Sequence, residues 1–179
     1  SPYRAEDVAV VGFSGQMMSC LLVDGSARPL HQSIIWADQR AADEAAAAEV
    51  QLGTKYLYGI TGHRFGANYT AAKLLWLRKH QPELLQRARY VLQAKDYIAA
   101  RLTGVFATDT SDASGTNLYD LTAGGWSQAL LQALELDAAL LPDLHAATDV
   151  IGQVSRSAAQ ESGLRTGTPV VIGGGDGAC

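Results

Sequence analysis

Cysteine is scarce: only Cys20 and Cys179 occur in 179 residues. They lie far apart, each in or beside an apolar run, and read as small buried hydrophobes with no disulfide between them, as fits a reducing, cytoplasmic compartment. Runs of like charge are missing as well. Fourteen Lys and Arg stand against 18 Asp and Glu, for a net charge of −4, and no basic block occurs. Neutralisation of a nucleic-acid backbone is therefore not expected. No stretch approaches the ~18 apolar residues that span a bilayer, and SPYRAEDVAV lacks the basic start and apolar core of an export signal, so no membrane partner is expected. His31, His63, His80 and His145 are dispersed, with no pair at the i, i+4 spacing of a helical metal site, which argues against a protein-held transition metal. Neither G-x-G-x-x-G nor G-x-x-x-x-G-K-[ST] is present; SGQMMS after the first strand does not supply the dinucleotide fingerprint, and a Rossmann-type dehydrogenase is set aside.

What is present is one well-buried core's worth of sequence, 47% apolar and 18% charged. DVAVVGF (7–13), CLLVD (20–24) and RPLHQSIIW (28–36) read as strands, with Asp24-Gly25 as a turn. ADQRAADEAAAAEV predicts a helix opening near Asp38. GITGHRFGANYT reads as a glycine-spaced loop, and AAKLLWLRKHQPELLQRA as helix with a break near Pro82. RYVLQ predicts a short strand, and AKDYIAARLTG a helix ended by Gly104. Polar TDTSDASGTN follows, then a turn at Gly124-Gly125 and another amphipathic helix. TDVIGQVS predicts a strand, SRSAAQESGL a short helix, and TPVVIGGGDGAC a buried strand leaving through glycine. Strands alternating with helices indicate an α/β domain, read as a single unit over 1–179. Arg64, Arg78 and Lys79 are expected as solvated charges, and Lys95 and Asp96 as an exposed polar pair opening a helix.

The sharpest chemical signal is Asp176 directly after Gly173, Gly174 and Gly175. Glycine lets the backbone approach a ligand closely, and open α/β sheets bind ligands at the carboxyl ends of their strands. A carboxylate there can accept the proton of an attacking hydroxyl; the alternative is an N-cap on a following helix. GFSGQMMS places Met17 and Met18 at another strand exit, and IIWADQR puts Trp36, Asp38 and Arg40 at a third. Sugars and polyols need fixed polar groups for their hydroxyls and an apolar wall for their C–H face, and these segments offer both. The bland readings are strand core for the methionines, packing for Trp36, and a helix cap with a surface charge for Asp38 and Arg40.

GFSGQMM, IIWADQR, TAAKLLWLRKHQPE, KDYIAARLTGVFATDTSDASGT and VVIGGGDGAC, in this order and spacing, resemble the N-terminal domain of FGGY-type carbohydrate kinases from about Val8 onward, nearest to the xylulokinases. The resemblance implies the actin/hexokinase/RNase H-like ATPase fold, in a two-domain enzyme that phosphorylates a sugar hydroxyl with ATP and Mg²⁺. It implies Asp176 as catalytic base and Met17, Met18, Trp36, Asp38, Arg40, Asn68 and Gly177 at the sugar. Gly174 and Gly175 fall to the nucleotide, and Ser111, Asp112 and Thr116 to a mainly structural segment. Mg²⁺ would come with ATP, held by phosphates and water.

Two departures bear on the substrate. Xylulokinases usually read GQMHG where this chain has GQMMS, so Met18 replaces a histidine able to bond a hydroxyl, and Gly177 stands where asparagine is usual. Each lost polar partner could shift recognition by roughly 0.5–1.5 kcal/mol. D-xylulose is the lead, gluconate or another pentulose or polyol the alternative, and a non-catalytic sugar-binding module the reading from another class. The family's opening phosphate loop and its adenosine-binding domain are expected before and after these residues, so this piece is expected to be incomplete at both ends and not to turn over alone. A homodimer is left open.

Overall fold

The computed structural model describes residues 4–179. A 3₁₀ turn at Ala5–Asp7 leads to β1 (Ser14–Gly15) and β2 (Leu21–Val23), followed by α1 (Ala42–Leu52), α2 (Thr54–Thr61), α3 (Thr70–His80) and α4 (Pro82–Arg87). Then come β3 (Tyr90–Leu92), α5 (Ala94–Thr103), β4 (Ala107–Asp109), α6 (Thr110–Ser114), β5 (Tyr119–Asp120), β6 (Gly125–Trp126) and α7 (Gln128–Ala133). The chain closes with β7 (Asp143–His145), β8 (Val150–Gln153), α8 (Arg156–Ser162), β9 (Pro169–Val171) and β10 (Gly174–Gly175). The mixture is α/β, with parallel pairs β1·β10 and β4·β7 and antiparallel pairs β2·β3, β5·β6 and β8·β9.

Local chemistry explains most boundaries. Alanine at 45 and 48 lets α1 pack closely in the main core, where Leu74, Leu75 and Leu77 of α3 also lie. α3 is buried on nearly every side, from Thr70 to Leu77, as expected for a central helix. Its break comes at Gln81, and Pro82 opens α4 at a position where its missing N–H costs nothing. α5 begins with a capping box between Gln93 and Asp96 and ends on left-handed Gly104. Ser127 and Ser155 cap α7 and α8. A second apolar cluster joins β8, β9 and α5 through Ile151, Val170, Ile172 and Ala99.

Several expectations are corrected. The helix expected near Asp38 starts at Ala42, because the Asp38 carboxylate turns the chain by accepting from the Arg40 amide at 2.9 Å. TKYLYGIT, assigned in part to a loop, forms α2, closed by left-handed Gly62. ATDTSDAS contains β4 and α6, the latter capped by Asp109, which accepts from the Ser111 and Asp112 amides. The run 7–13 is not one strand; within it only Val11 is bridged, to Val170. Cys20 is buried, and burial pushes its thiol up to about 12, whereas Cys179 is exposed beyond the turn that follows β10.

Lys95 and Asp96 are also not an exposed pair. Both are buried, and Lys95 Nζ meets Asp96 Oδ1 at 2.7 Å, Asp109 Oδ1 at 2.9 Å and Asp112 Oδ2 at 3.2 Å. Burial opposes the ammonium charge, but the surrounding carboxylates outweigh it and hold the lysine above its ordinary value. Three ionised carboxylates around one cation would leave two negative charges in excess out of water. Burial, reinforced by the charge of Asp96, raises Asp112 to about 7.

The contact that places the end of the chain is parallel. Val11 N donates to Pro169 O and Val171 N to Val11 O, but the next link runs from Gly174 N, rather than Gly173 N, to Phe13 O. Asp176 N then donates to Gly15 O at 2.9 Å. One extra residue has entered the later strand, a bulge centred on Gly173 at φ 71°. A Cβ at Gly173 would overlap the Phe13 carbonyl, so only glycine fits there.

Gly173→Ala adds left-handed strain to a backbone clash and should lower stability by about 2–4 kcal/mol; a chemical melt within 1 kcal/mol of wild type, on the order of ordinary surface substitutions, would refute the bulge. Asp112, with its folded value raised from 3.8 to about 7, keeps a proton that the unfolded chain releases, so its contribution is full in acid and is lost as pH rises from about 4 to 7. Asp112→Asn stays neutral throughout, and its Tm relative to wild type should climb across that window; parallel Tm curves would contradict the assignment.

Candidate active site

The bulged strand delivers Asp176 into a turn over 176–178, where it is exposed. The two residues before it are buried and fixed. Gly174 N is bonded to Phe13 O, and Gly175 N donates to Ser111 Oγ at 2.9 Å. Ser111 Oγ in turn donates to Asp109 Oδ2 at 2.5 Å, and the other oxygen of Asp109 receives Lys95. Burial would raise the Asp109 carboxyl, but the Ser111 hydroxyl and Lys95 hold it below the ordinary range, so it accepts as a carboxylate. A continuous polar chain thus runs from the buried lysine to the residue before Asp176.

Met17 lies against the same backbone. A Cβ on Gly175 would overlap the Met17 side chain, and one on Gly177 would stand 3.3 Å from Met17 Sδ. Met17 and Met18 are half-buried, and both approach Gly115, at the end of α6. The strand-core alternative does not describe them: they sit in the segment between β1 and β2. Met18 has φ 60°, a left-handed backbone that L side chains rarely adopt. Asn68 Nδ2 lies 3.4 Å from Met18 Sδ, which joins the loop before α3 to the methionine pair.

Asp38 and Arg40 form a bidentate ion pair, with Nε to Oδ1 at 2.9 Å and Nη2 to Oδ2 at 2.7 Å. The Arg40 hydrogen bonds hold the Asp38 carboxyl below its usual range. The guanidinium lies 5.0 Å from the centroid of Trp76. Trp36, two residues before Asp38, is 56% exposed and is not packed in the core. The structure therefore brings Asp176, Gly175, Gly177 and Met17 together, joins Met18 to Asn68, and pairs Asp38 with Arg40; Trp36 is left open on the surface.

Of three tethering residues, sequence reasoning passed over Gln93 and Lys73 and gave Ser111 only to a mainly structural segment. Gln93 Oε1 accepts from Ser19 N and Oγ, at 2.7 and 3.0 Å, and its Nε2 donates to Thr70 Oγ1 at 3.0 Å. Ser111 anchors Gly175. Lys73, fully buried in α3, donates to the backbone oxygens of Met18 and Asn68, the latter at 2.6 Å. The signal for Lys73 was a single cation inside AAKLLWL, a run otherwise apolar. Arg78, expected as a solvated charge, donates to Leu134 O at 2.6 Å and Glu135 O at 2.9 Å. A separate cleft of about 520 Å³, lined among others by Asp43, Glu44, Arg78 and Lys79, includes none of the residues assigned to the site.

The N-terminal domain of the FGGY family of carbohydrate kinases matches residues 3–179. The xylulose kinase of Escherichia coli is 38% identical over 176 residues, covering 98% of this chain and 36% of that protein. An autoinducer-2 kinase of Klebsiella pneumoniae is 36% identical over 149 residues, which cover 79% of this chain and 28% of the relative. The crystal structure of a gluconate kinase from Lactobacillus acidophilus superposes with a TM-score of 0.88 at 29% identity, covering 97% of this chain and 36% of that one. The chain thus spans about a third of the length of these proteins, and its α/β architecture is the actin-like ATPase fold of their kind. The chain belongs to the FGGY family of carbohydrate kinases, as a match to its N-terminal domain.

Proposed function

We propose that this chain is the sugar-side domain of a two-domain kinase that transfers phosphate from ATP to a sugar hydroxyl, converting D-xylulose to D-xylulose 5-phosphate. The observation that carries the reading is the exposed Asp176 carboxylate, held on a bulged glycine strand beside Met17, in a chain of this family. Asp176 takes up the proton of the attacking hydroxyl; positioning supplies most of the remaining effect. Met17 and Met18 offer the apolar wall, and Asn68, Asp38 and Trp36 the polar and aromatic contacts to the sugar.

ATP, with Mg²⁺ on its phosphates, supplies the phosphoryl group. The glycines let the strand end pass close to its protein neighbours, the Phe13 carbonyl at Gly173 and the Met17 side chain at Gly175. The amides of Gly174 and Gly175 are already committed to Phe13 O and Ser111 Oγ, so their part toward the nucleotide is one of shape. A second domain beyond these residues would bind the adenosine.

The similarity to a gluconate kinase supports a second substrate, a sugar acid. Arg40 is the one cation among the residues assigned to the sugar, and Asp38 already engages it through both oxygens. A substrate carboxylate would have to compete for it, which favours a neutral pentulose.

The test uses the full-length protein and coupled ADP release against D-xylulose, L-ribulose, gluconate, glycerol and erythritol. D-xylulose should give the highest kcat/KM. Asp176→Asn should lower kcat by on the order of 10²–10⁴ while calorimetric sugar binding survives. Sugar binding without turnover of any acceptor would establish a non-catalytic module instead.

A further inference from the structure

Lys73 is fully buried at the end of the first turn of α3, yet among the described residues no carboxylate forms an ion pair with it. Its ammonium is spent on two backbone oxygens, those of Met18 and Asn68. A buried cation without a carboxylate is costly, and these carbonyls are its compensation. A methionine or leucine would fill the same volume in this apolar helix more cheaply if packing were the only demand.

The two carbonyls belong to segments far apart in sequence and adjacent in space. Met18 holds a left-handed backbone, and such a conformation persists only where its surroundings fix it. Lys73 fixes the carbonyl of that residue. The same nitrogen holds the backbone of Asn68, whose side chain reaches Met18 Sδ. Asp38, on a third segment, is near enough to act on Lys73 through its charge. One ammonium therefore sets the relative placement of segments that carry three of the residues assigned to the sugar.

We infer that Lys73 is a positioning residue for the acceptor sugar: its buried ammonium clamps the backbones of Met18 and Asn68 into the spacing that the sugar requires. This rests on the sugar-kinase reading above. Met18 and Asn68 present their side chains to the ligand, and Lys73 acts through them without touching it.

Burial lowers Lys73 to about 8. The titratable groups acting on it are Cys20, which burial raises to about 12, and Asp38, which Arg40 keeps ionised. Neither changes charge between pH 7 and 9.5, so loss of the Lys73 proton is the change this cluster undergoes there. The charged clamp is present below about pH 8 and relaxes above it.

The experiment measures D-xylulose binding by calorimetry on the full-length protein, with ADP release followed in parallel. Lys73→Met should weaken D-xylulose binding on the order of tenfold or more, with the KM for ATP unchanged. Wild-type affinity for D-xylulose should decline as pH rises through about 8, and Lys73→Arg, charged throughout, should flatten that decline. A folded Lys73→Met protein that binds D-xylulose like wild type, with only its Tm lowered, overturns the inference. If Lys73→Met fails to fold, Lys73→Gln takes its place, and a folded Gln variant with wild-type D-xylulose affinity overturns the inference equally. Binding without ADP release refutes the kinase reading and leaves the clamp to be judged by these affinities; absence of both binding and release refutes the two together.

Discussion

The arrangement of the site depends on one strand contact, the parallel pairing of residues 11–15 with 169–176, and on the single-residue slip within it. Backbone hydrogen bonds fix where each strand residue lies, and a slip of one moves every later side chain to the opposite face. The slip occurs at Gly173, where the Phe13 carbonyl leaves no room for a side chain. From there the register with Ser14 and Gly15 is held through Gly174 and Gly175, and the Asp176 amide still bonds to Gly15. Asp176 thus leaves the sheet with a rigid backbone behind it and solvent before its carboxylate.

Two buried lysines stabilise the surroundings by opposite means. Lys95 sits among three carboxylates, so its charge is compensated to excess, and burial favours proton retention on Asp96 and Asp112. Lys73 is bonded to carbonyl oxygens and to no carboxylate, and burial outweighs the nearby charge of Asp38 and makes its proton easier to remove. The first arrangement reaches Gly175 through Asp109 and Ser111, and the second reaches Met18 and Asn68 directly. Backbone near the assigned catalytic and sugar residues is therefore held by charge-assisted hydrogen bonds anchored in the interior, which are stronger and more directional than apolar packing.

How far the sequence could be read depended on whether each signal was local. α5 and α8 were legible because Gly104 and Gly163 end them in left-handed geometry, and β3 and β8 because short apolar runs stand between turn residues. α2 was obscured by Gly59 and by β-branched Ile60 and Thr61, which are poor helix formers that tertiary packing of Leu57 overrides. α6 is five residues long, and its polar composition matched a loop; the Asp109 cap was its only local mark. Asp176 was visible from the glycines before it and from the family resemblance together. Lys73, Lys95 and Asp96 were missed or misplaced for one reason: a charged residue is assumed to face water unless its surroundings are known, and part of what surrounds these, Met18 for Lys73 and Asp109 and Asp112 for Lys95, lies at distant positions in the chain.

The two cysteines differ in a way that labelling chemistry can exploit. Cys20 is enclosed, and its thiol remains protonated at any working pH, so electrophiles find no thiolate there. Cys179 lies in the open, three positions past Asp176. Within residues 4–179 a maleimide dye or spin probe therefore reacts at Cys179 and not at Cys20, and reports on ligand arrival near the assigned base.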